Sequence, residues 1–270
     1  MAVWFCMHFL YPSDPFRKRR PDEFYAAEFA AAEAAGLGAS VFSLEDFQAG
    51  RFAAFPPLPA TTVIYRGWML SSVEYQSLVA AIRQSGAEVL TDTATYLATH
   101  HLPNWYPLIQ ELTSETRVFA ATVDLPSELR ALDWPAYFIK DYVKSLKTAT
   151  GSLITTPDQA TAVAAEMLHF RATIEGGFCV RRGEEFKPGS ELRYFVLDSV
   201  PQAATGPIPS SVSECARRIR SRFFSVDVAI RSDGMLRVVE VGDGQVSDLV
   251  GWSSEQFVSL FTTDWQLARV

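Results

Sequence analysis

Basic charge is in deficit in this chain. Its 24 Lys and Arg face 31 Asp and Glu, a net charge of −7 over 270 residues, and the isoelectric point is near 5.2. A general nucleic-acid binder needs a basic field, so that class is excluded, although a local basic cleft is not. Cysteine is scarce. Cys6, Cys179 and Cys215 are scattered with no CxxC pair, so neither a disulfide framework nor a zinc site follows, and a reducing cytoplasm fits. Long apolar runs are also missing. Met1 to Leu10 is apolar, but it is too short to span a bilayer and lacks the basic region and cleavage site of a signal peptide. No GxxxxGK[ST] loop, no GxGxxG after the first strand and no kinase signature set occurs, which removes the common phosphate-binding motifs. Gly242-Asp243-Gly244-Gln245 lacks the alternating acids of a calcium loop. Adjacent residues such as His100 and His101 do not share a face of a helix or strand, so a two-histidine metal site is not expected there.

What is present is an alternation of strands and helices in the first half. Strands are predicted at Ala2–His8, Ala39–Leu44, Thr62–Arg66 and Glu88–Leu90, and helices at Asp22–Ala35 and Ser72–Ser85, closed by Gly36 and Gly86. Such alternation points to parallel βαβ units. Ligands gather beyond the carboxyl ends of parallel strands, and Arg66 stands at such an end as a candidate substrate ligand. The second half changes character to α+β. Ala136–Lys140, Gly177–Arg181 and Glu191–Asp198 read as strands, with a polar lysine-containing loop from Asp141 to Gly151 and a helix over Thr156–Phe170. The charged residues Lys140, Lys147, Glu184, Arg193, Arg222, Asp227, Glu240 and Asp243 lie on, or at the ends of, strands expected to form one antiparallel sheet.

The last two strands carry the most specific signal. Phe224–Ile230 and Met235–Val241 flank Asp233-Gly234, and Asp-Gly is a strong signal for a two-residue hairpin turn. Pairing Ser232 with Met235 sets Asp227 opposite Glu240. Opposed like charges destabilise a sheet, so a cation between them is expected, and oxygen ligands from one or two carboxylates plus substrate phosphates suit Mg²⁺. Val226, Val228, Ile230, Val239 and Val241 alternate with the acids and are predicted to face the core.

The order of these pieces resembles the ATP-grasp superfamily: Phe138-Ile139-Lys140, Lys147 to Gly151, Gly177 to Arg182, Glu191-Leu192-Arg193, Val226-Asp227-Val228 and Val239 to Gly244. Tyr65-Arg66-Gly67-Trp68-Met69 and His101 to Tyr106 extend the likeness to a small subgroup of mostly uncharacterised bacterial and phage proteins. The resemblance implies an ATP-grasp fold with a pre-ATP-grasp βαβ domain over residues 1–117, a central subdomain over 118–180 and a C-terminal subdomain over 181–270. It also implies an ADP-forming carboxylate–amine ligase that uses Mg-ATP and an acylphosphate. Lys140 and Lys147 would hold the phosphates, with Arg181, Glu184 and Phe186 near the adenine. Asp227, Glu240 and Asp243 would hold Mg²⁺, and Arg193 and Arg222 would act on the transferring group. The family's usual Asn two residues after the metal Glu is Gly242 here, which puts the metal shell in question. The partners implied are a small-molecule or peptide carboxylate and an amine acceptor, with no general nucleic-acid or membrane partner and the oligomeric state open. A phosphotransferase and a non-catalytic Mg-nucleotide-binding module are the alternatives.

Overall fold

The structure is a computed structural model that describes residues 7–143, 145, 151–171 and 174–262. The alternating first half forms a five-stranded sheet from β1 (Met7–Pro12), β2 (Gly38–Phe42), β3 (Ala54–Phe55), β4 (Thr62–Tyr65) and β5 (Glu88–Val89), in the order β3-β2-β1-β4-β5. All pairings are parallel except β2 with β3. The first strand runs on to Pro12, later than the Ala2–His8 expected, and residues 1–6 lie outside the described residues. Between these strands run α1 (Ala26–Ala34), α2 (Leu44–Gln48) and α3 (Ser72–Gln84), followed by α4 (Thr93–His100) and α5 (Leu102–Ile109). Local chemistry sets these boundaries. Ser71 and Glu74 form a reciprocal capping box on α3, and Gly86, at φ 87°, closes it in the left-handed region where glycine carries no Cβ penalty.

The second half builds two antiparallel sheets, where a single one was expected. The central sheet holds β6 (Thr116–Ala120), β7 (Tyr137–Lys140), β8 (Leu153–Ile154) and β9 (Gly177–Arg182), with α6 (Leu125–Leu132) and α7 (Ala160–Arg171). The last holds β10 (Leu192–Leu197), β11 (Val200–Ala203), β12 (Phe223–Ile230) and β13 (Leu236–Asp243), with α8 (Ser210–Arg218) and α9 (Ser254–Ser259). Lys140 thus belongs to a different sheet from Arg193, Asp227 and Glu240. The reason is register: β9 pairs with β6 and β7, and its Cys179 opposes Lys140, so β9 leaves no edge for β10.

The hairpin reaches the expected pairing by another route. Ile230 faces Leu236 and Arg231 N–H donates to Met235 O, so the loop has three residues, Ser232 to Gly234, with Gly234 at φ 92°. That register would leave Asp227 opposite Val239, but a β-bulge between Asp227 and Val228 adds one residue and restores Asp227 to Glu240. A bulge sets two residues against one and shifts which side chains face each side. Val238 consequently enters the core fully buried beside Val226, Val228 and Val241, while the predicted core residue Val239 is only half-buried.

The first and last sheets are joined by an aromatic core. Phe9, Phe195, Phe223, Phe257 and Phe261 are buried together, with edge-to-face contacts such as Phe9–Phe261 at 5.2 Å and Phe195–Phe257 at 5.0 Å. The contact fixes the carboxyl ends of β4 and β13 near one another. No helix among the described residues is long and apolar enough to cross a membrane.

Candidate active site

Three elements converge on a cleft of about 670 Å³. Gly67, Trp68 and Met69 come from the end of β4, Val143 and Ser145 follow β7, and Arg193, Ser225 and Glu240 come from the last sheet. Arg193 and Asp227 are opposed across β10 and β12, and Asp227 and Glu240 across β12 and β13, so one row of the sheet carries Arg, Asp and Glu in turn. Lys140 reaches in from the central sheet. Its Nζ donates to Glu240 Oε1 at 2.7 Å. Arg193 grips Asp227 with two parallel bonds, Nε to Oδ1 at 2.7 Å and Nη2 to Oδ2 at 2.6 Å. Each acid therefore has its own protein cation, which offsets the repulsion expected from opposed carboxylates.

The two acids differ in what they offer the cleft. Asp227 is buried, and burial raises its pKa against the opposing bond and charge of Arg193. Burial also disfavours the charge on Glu240, but the charge and bond of Lys140, with Arg193 and Arg181, outweigh it and hold its pKa below the ordinary value. The Glu240 side chain is 43% exposed and lines the cleft. Glu240 is thus the carboxylate open to a cation, and Asp227 can take part only by sharing with Arg193. Among the described residues no group of three or more His, Cys, Asp or Glu is gathered for a metal. The donor set fits an ion completed by substrate oxygens rather than one caged by protein.

Three expected site residues lie elsewhere. Arg66 is buried, and its guanidinium is fully engaged. Nε and Nη2 donate to Glu28 at 2.8 and 2.7 Å, and Nη1 donates to the carbonyls of Gly244, Gln245 and Ser247 at 2.9, 3.1 and 2.9 Å. With its nitrogens spent inside the protein, Arg66 braces the loop after β13 and has none left for a substrate. Arg222 pairs with Asp198 at 2.8 Å in a separate groove beside Arg83, Arg217 and Arg220. Five residues of extended strand separate it from Asp227, roughly 16 Å at the usual rise. Asp243 borders the cleft, but its carboxylate accepts from Gln245 N and Nε2, both at 3.1 Å, and from Thr99 at 3.3 Å. It is an odd number of residues from Glu240, so strand alternation turns it to the other face.

The candidates expected near the adenine form a neighbouring group. Arg181 is buried and donates to Val239 O and Thr113 Oγ1, both at 2.5 Å, while its Nε has no partner among the described residues. Glu184 accepts from Ser114, Arg231 and Arg237, and Phe186 bridges to Arg231. Lys147 lies outside the described residues.

Sequence reasoning missed Tyr25, His100, Ser225, Ser247 and Asp248, which also line the cleft. The one available signal was the polar run after β13. His100 stacks on Tyr96 at 4.6 Å, and burial, helped by His101, pushes its pKa down to about 4. Asp243 moves the other way: burial raises it to about 7, against hydrogen bonds from Gln245 and Thr99. The two have opposite linkage. A histidine depressed in the folded state contributes stability above its ordinary pKa of about 6.5, and that contribution is lost as pH falls from there towards 4. A raised carboxyl binds its proton more readily when folded, so its contribution grows as pH falls from 7 towards 4. His100→Gln is therefore expected to remove a loss of about 3 kcal/mol on acidification from pH 7 to 4, and Asp243→Asn a gain of similar order. Urea unfolding of each variant at both pH values checks this, and parallel profiles for the two variants would contradict it.

Among curated proteins, none matches the sequence. Solved structures match the fold over nearly the whole chain at low identity. The RimK domain ATP-grasp protein of Sphaerobacter thermophilus is 17% identical with a TM-score of 0.60, covering 94% of this chain and 98% of its own. The D-alanine-D-alanine ligase of Coxiella burnetii is 11% identical with a TM-score of 0.62, covering 98% and 97%. The macrocyclase MdnC of Microcystis aeruginosa, solved with precursor peptide MdnA, is 12% identical with a TM-score of 0.60, covering 96% and 99%. These likenesses establish the architecture. Residues 130–260 match a family model for an ATP-grasp domain, the third family of its clade. That segment contains Lys140, Arg193, Asp227 and Glu240, and with the fold it makes this chain a member of the ATP-grasp superfamily.

Proposed function

We propose that this chain is an ADP-forming carboxylate–amine ligase. The observation that carries the reading is the interleaving of the Lys140–Glu240 and Arg193–Asp227 pairs, from two sheets, in one cleft. A nucleotide phosphate is the natural competitor for Lys140. On its arrival the ammonium would exchange Glu240 for phosphate oxygens, and Glu240, with Asp227, would face the accompanying Mg²⁺. The ion's part is to neutralise charge on the phosphates. Arg193 is placed to stabilise charge on the transferring phosphoryl group or on the acylphosphate. A substrate carboxylate oxygen attacks the γ-phosphorus, the bond to ADP breaks, and an amine then displaces phosphate from the acyl carbon. No protein nucleophile is needed, so catalysis is positioning and electrostatics. Lys147 joins the phosphate ligands on sequence grounds alone. Arg181, beside Lys140 and Glu240, borders the nucleotide, with Glu184 and Phe186 toward the adenine. The ligase and macrocyclase neighbours support amino acids or peptides as the substrate class, and the supply of ATP supports a cytoplasmic setting.

Calorimetric titration of Mg-ATP into the wild type and Glu240→Gln tests the reading. Binding is expected in the wild type, weakened at least about tenfold in the variant, since a charged partner contributes ~1.5–3 kcal/mol. Amino acids and peptides that raise ADP release would then identify the acceptor. No binding by the wild type, or equal binding by both, overturns the proposal. ADP formed together with a phosphorylated product and no amide would favour a phosphotransferase.

A further inference from the structure

The cleft has two chemically different ends. One holds Lys140 and Glu240. The other, past Arg193, is walled by Tyr25, Trp68 and Met69 and edged by the exposed carboxylate of Asp248. Trp68 and Met69 are 40% and 44% exposed, a large apolar surface left open where a ligand would sit. The wall is rigid. Trp68 packs edge-on to Tyr25 at 5.3 Å and against Phe24 at 5.0 Å, and its carbonyl accepts from Tyr65 Oη at 2.7 Å. A Cβ at Gly67 would collide with the Tyr65 ring, so only glycine lets the chain pass there.

Charge decides what the wall is for. Arg193 Nη1 donates to the Asp248 carbonyl at 2.7 Å, which holds Asp248 next to the residue assigned to the transferring group. The Asp248 side chain forms no ion pair among the described residues. Neither nearby arginine is free to receive a carboxylate, since Arg193 is committed to Asp227 and Arg66 to Glu28 and three carbonyls. This end therefore offers one uncompensated acid and aromatic faces. Aromatic faces attract cations as well as apolar groups, and a small set of polar groups in an apolar wall fixes a ligand's orientation.

We propose that this end of the cleft is the acceptor subsite, and that it takes a primary ammonium carried beside a large apolar side chain, as in an apolar amino acid or the first residue of a peptide. The assignment of the end as acceptor rests on the ligase reading; the ligand chemistry rests on the wall and Asp248. The ammonium meets Asp248 and the side chain covers Trp68 and Met69, which brings the nitrogen to the Arg193 side of the cleft.

Binding of four probes, measured by calorimetry without nucleotide and again with Mg-ATP, tests this. Phenylalaninamide is expected to bind the wild type, with N-acetylphenylalaninamide, which lacks the ammonium, and glycinamide, which lacks the apolar group, each at least about tenfold weaker. Phenylalanine binding as well as its amide indicates a free amino acid, and a preference for the amide indicates a peptide terminus. Asp248→Asn should weaken phenylalaninamide about tenfold and make it indistinguishable from the acetylated probe, and Trp68→Ala should abolish its advantage over glycinamide. Equal binding of acetylated and free amide, or an unchanged Asp248→Asn, overturns the proposal. If Mg-ATP binds but no probe does under either condition, the acceptor assignment falls and the nucleotide reading stands. If probes bind as expected but Mg-ATP does not, the ligand chemistry stands and the ligase reading falls.

Discussion

Arg66→Met is expected to lower stability by about 3–5 kcal/mol, the usual cost of leaving a buried charge without its partner. For a chain of this size that corresponds to a fall in Tm of roughly 10 °C. The guanidinium neutralises the buried Glu28 through two bonds and satisfies three carbonyls of the loop after β13. It also lies over the Phe257 ring, 4.4 Å from its centroid, so the same side chain ties the β4 end, α1, α9 and the cleft loop together. Removing it strands a carboxylate and three acceptors at once. Arg66→Met combined with Glu28→Gln should recover part of the loss, because the uncompensated charge disappears while the carbonyls remain unpaired. Differential scanning calorimetry of the single and double variants checks this. An Arg66→Met protein that melts within about 2 °C of the wild type would mean that the guanidinium is no brace, and a substrate role would have to be reconsidered.

Lys140→Met should do the reverse, sparing the fold and removing nucleotide affinity. Lys140 is 5% exposed, and methionine matches much of its length. Replacing a buried partner often strands a charge, but Glu240 is 43% exposed in its side chain and can turn to water. The expected change in stability is therefore within about 1 kcal/mol, near the scale of a partly solvated ion pair. The affinity for Mg-ATP should fall about 10- to 100-fold, as loss of a charge-assisted bond to phosphate implies. Once an acceptor is known, ADP formation should fall about 10²–10³-fold, the effect of deleting one preorganised donor at a developing charge. Lys140→Arg is not expected to restore either quantity, because a planar guanidinium does not replace a compact ammonium at the end of a strand. Titration with Mg-ATP and a thermal melt on each variant measure both effects. Wild-type affinity in Lys140→Met would remove the lysine from the phosphate site and with it the strongest support for the ligase reading.

Features that depended on neighbours in sequence were legible before the fold was known. The α3 capping box, the glycine that closes that helix and the opposition of Asp227 to Glu240 all arise within short stretches of chain, where backbone sterics and strand alternation leave few choices. Even there the agreement was partly compensatory. The hairpin loop has one residue more than Asp-Gly implied, and the bulge at Asp227 absorbs it, which returned the acids to register while moving Val238 into the core in place of Val239. The side on which Asp243 points was also contained in the odd spacing from Glu240, although its buried partners Thr99 and Gln245 were not.

What the sequence by itself determined is the order of elements, the family resemblance and the charged row on β10, β12 and β13, because these follow from local propensity, alternation and hairpin pairing. Tertiary structure alone decided which cation meets which acid. Lys140 and Glu240 are 100 residues apart, Arg66 and the Gly244 carbonyl 178 apart. Arg66 and Arg193 look alike in one dimension, each an arginine at or near a strand end. One became an interior brace and the other a cleft residue because the aromatic packing of the first sheet against the last buried the end of β4 and left the face of β10 open.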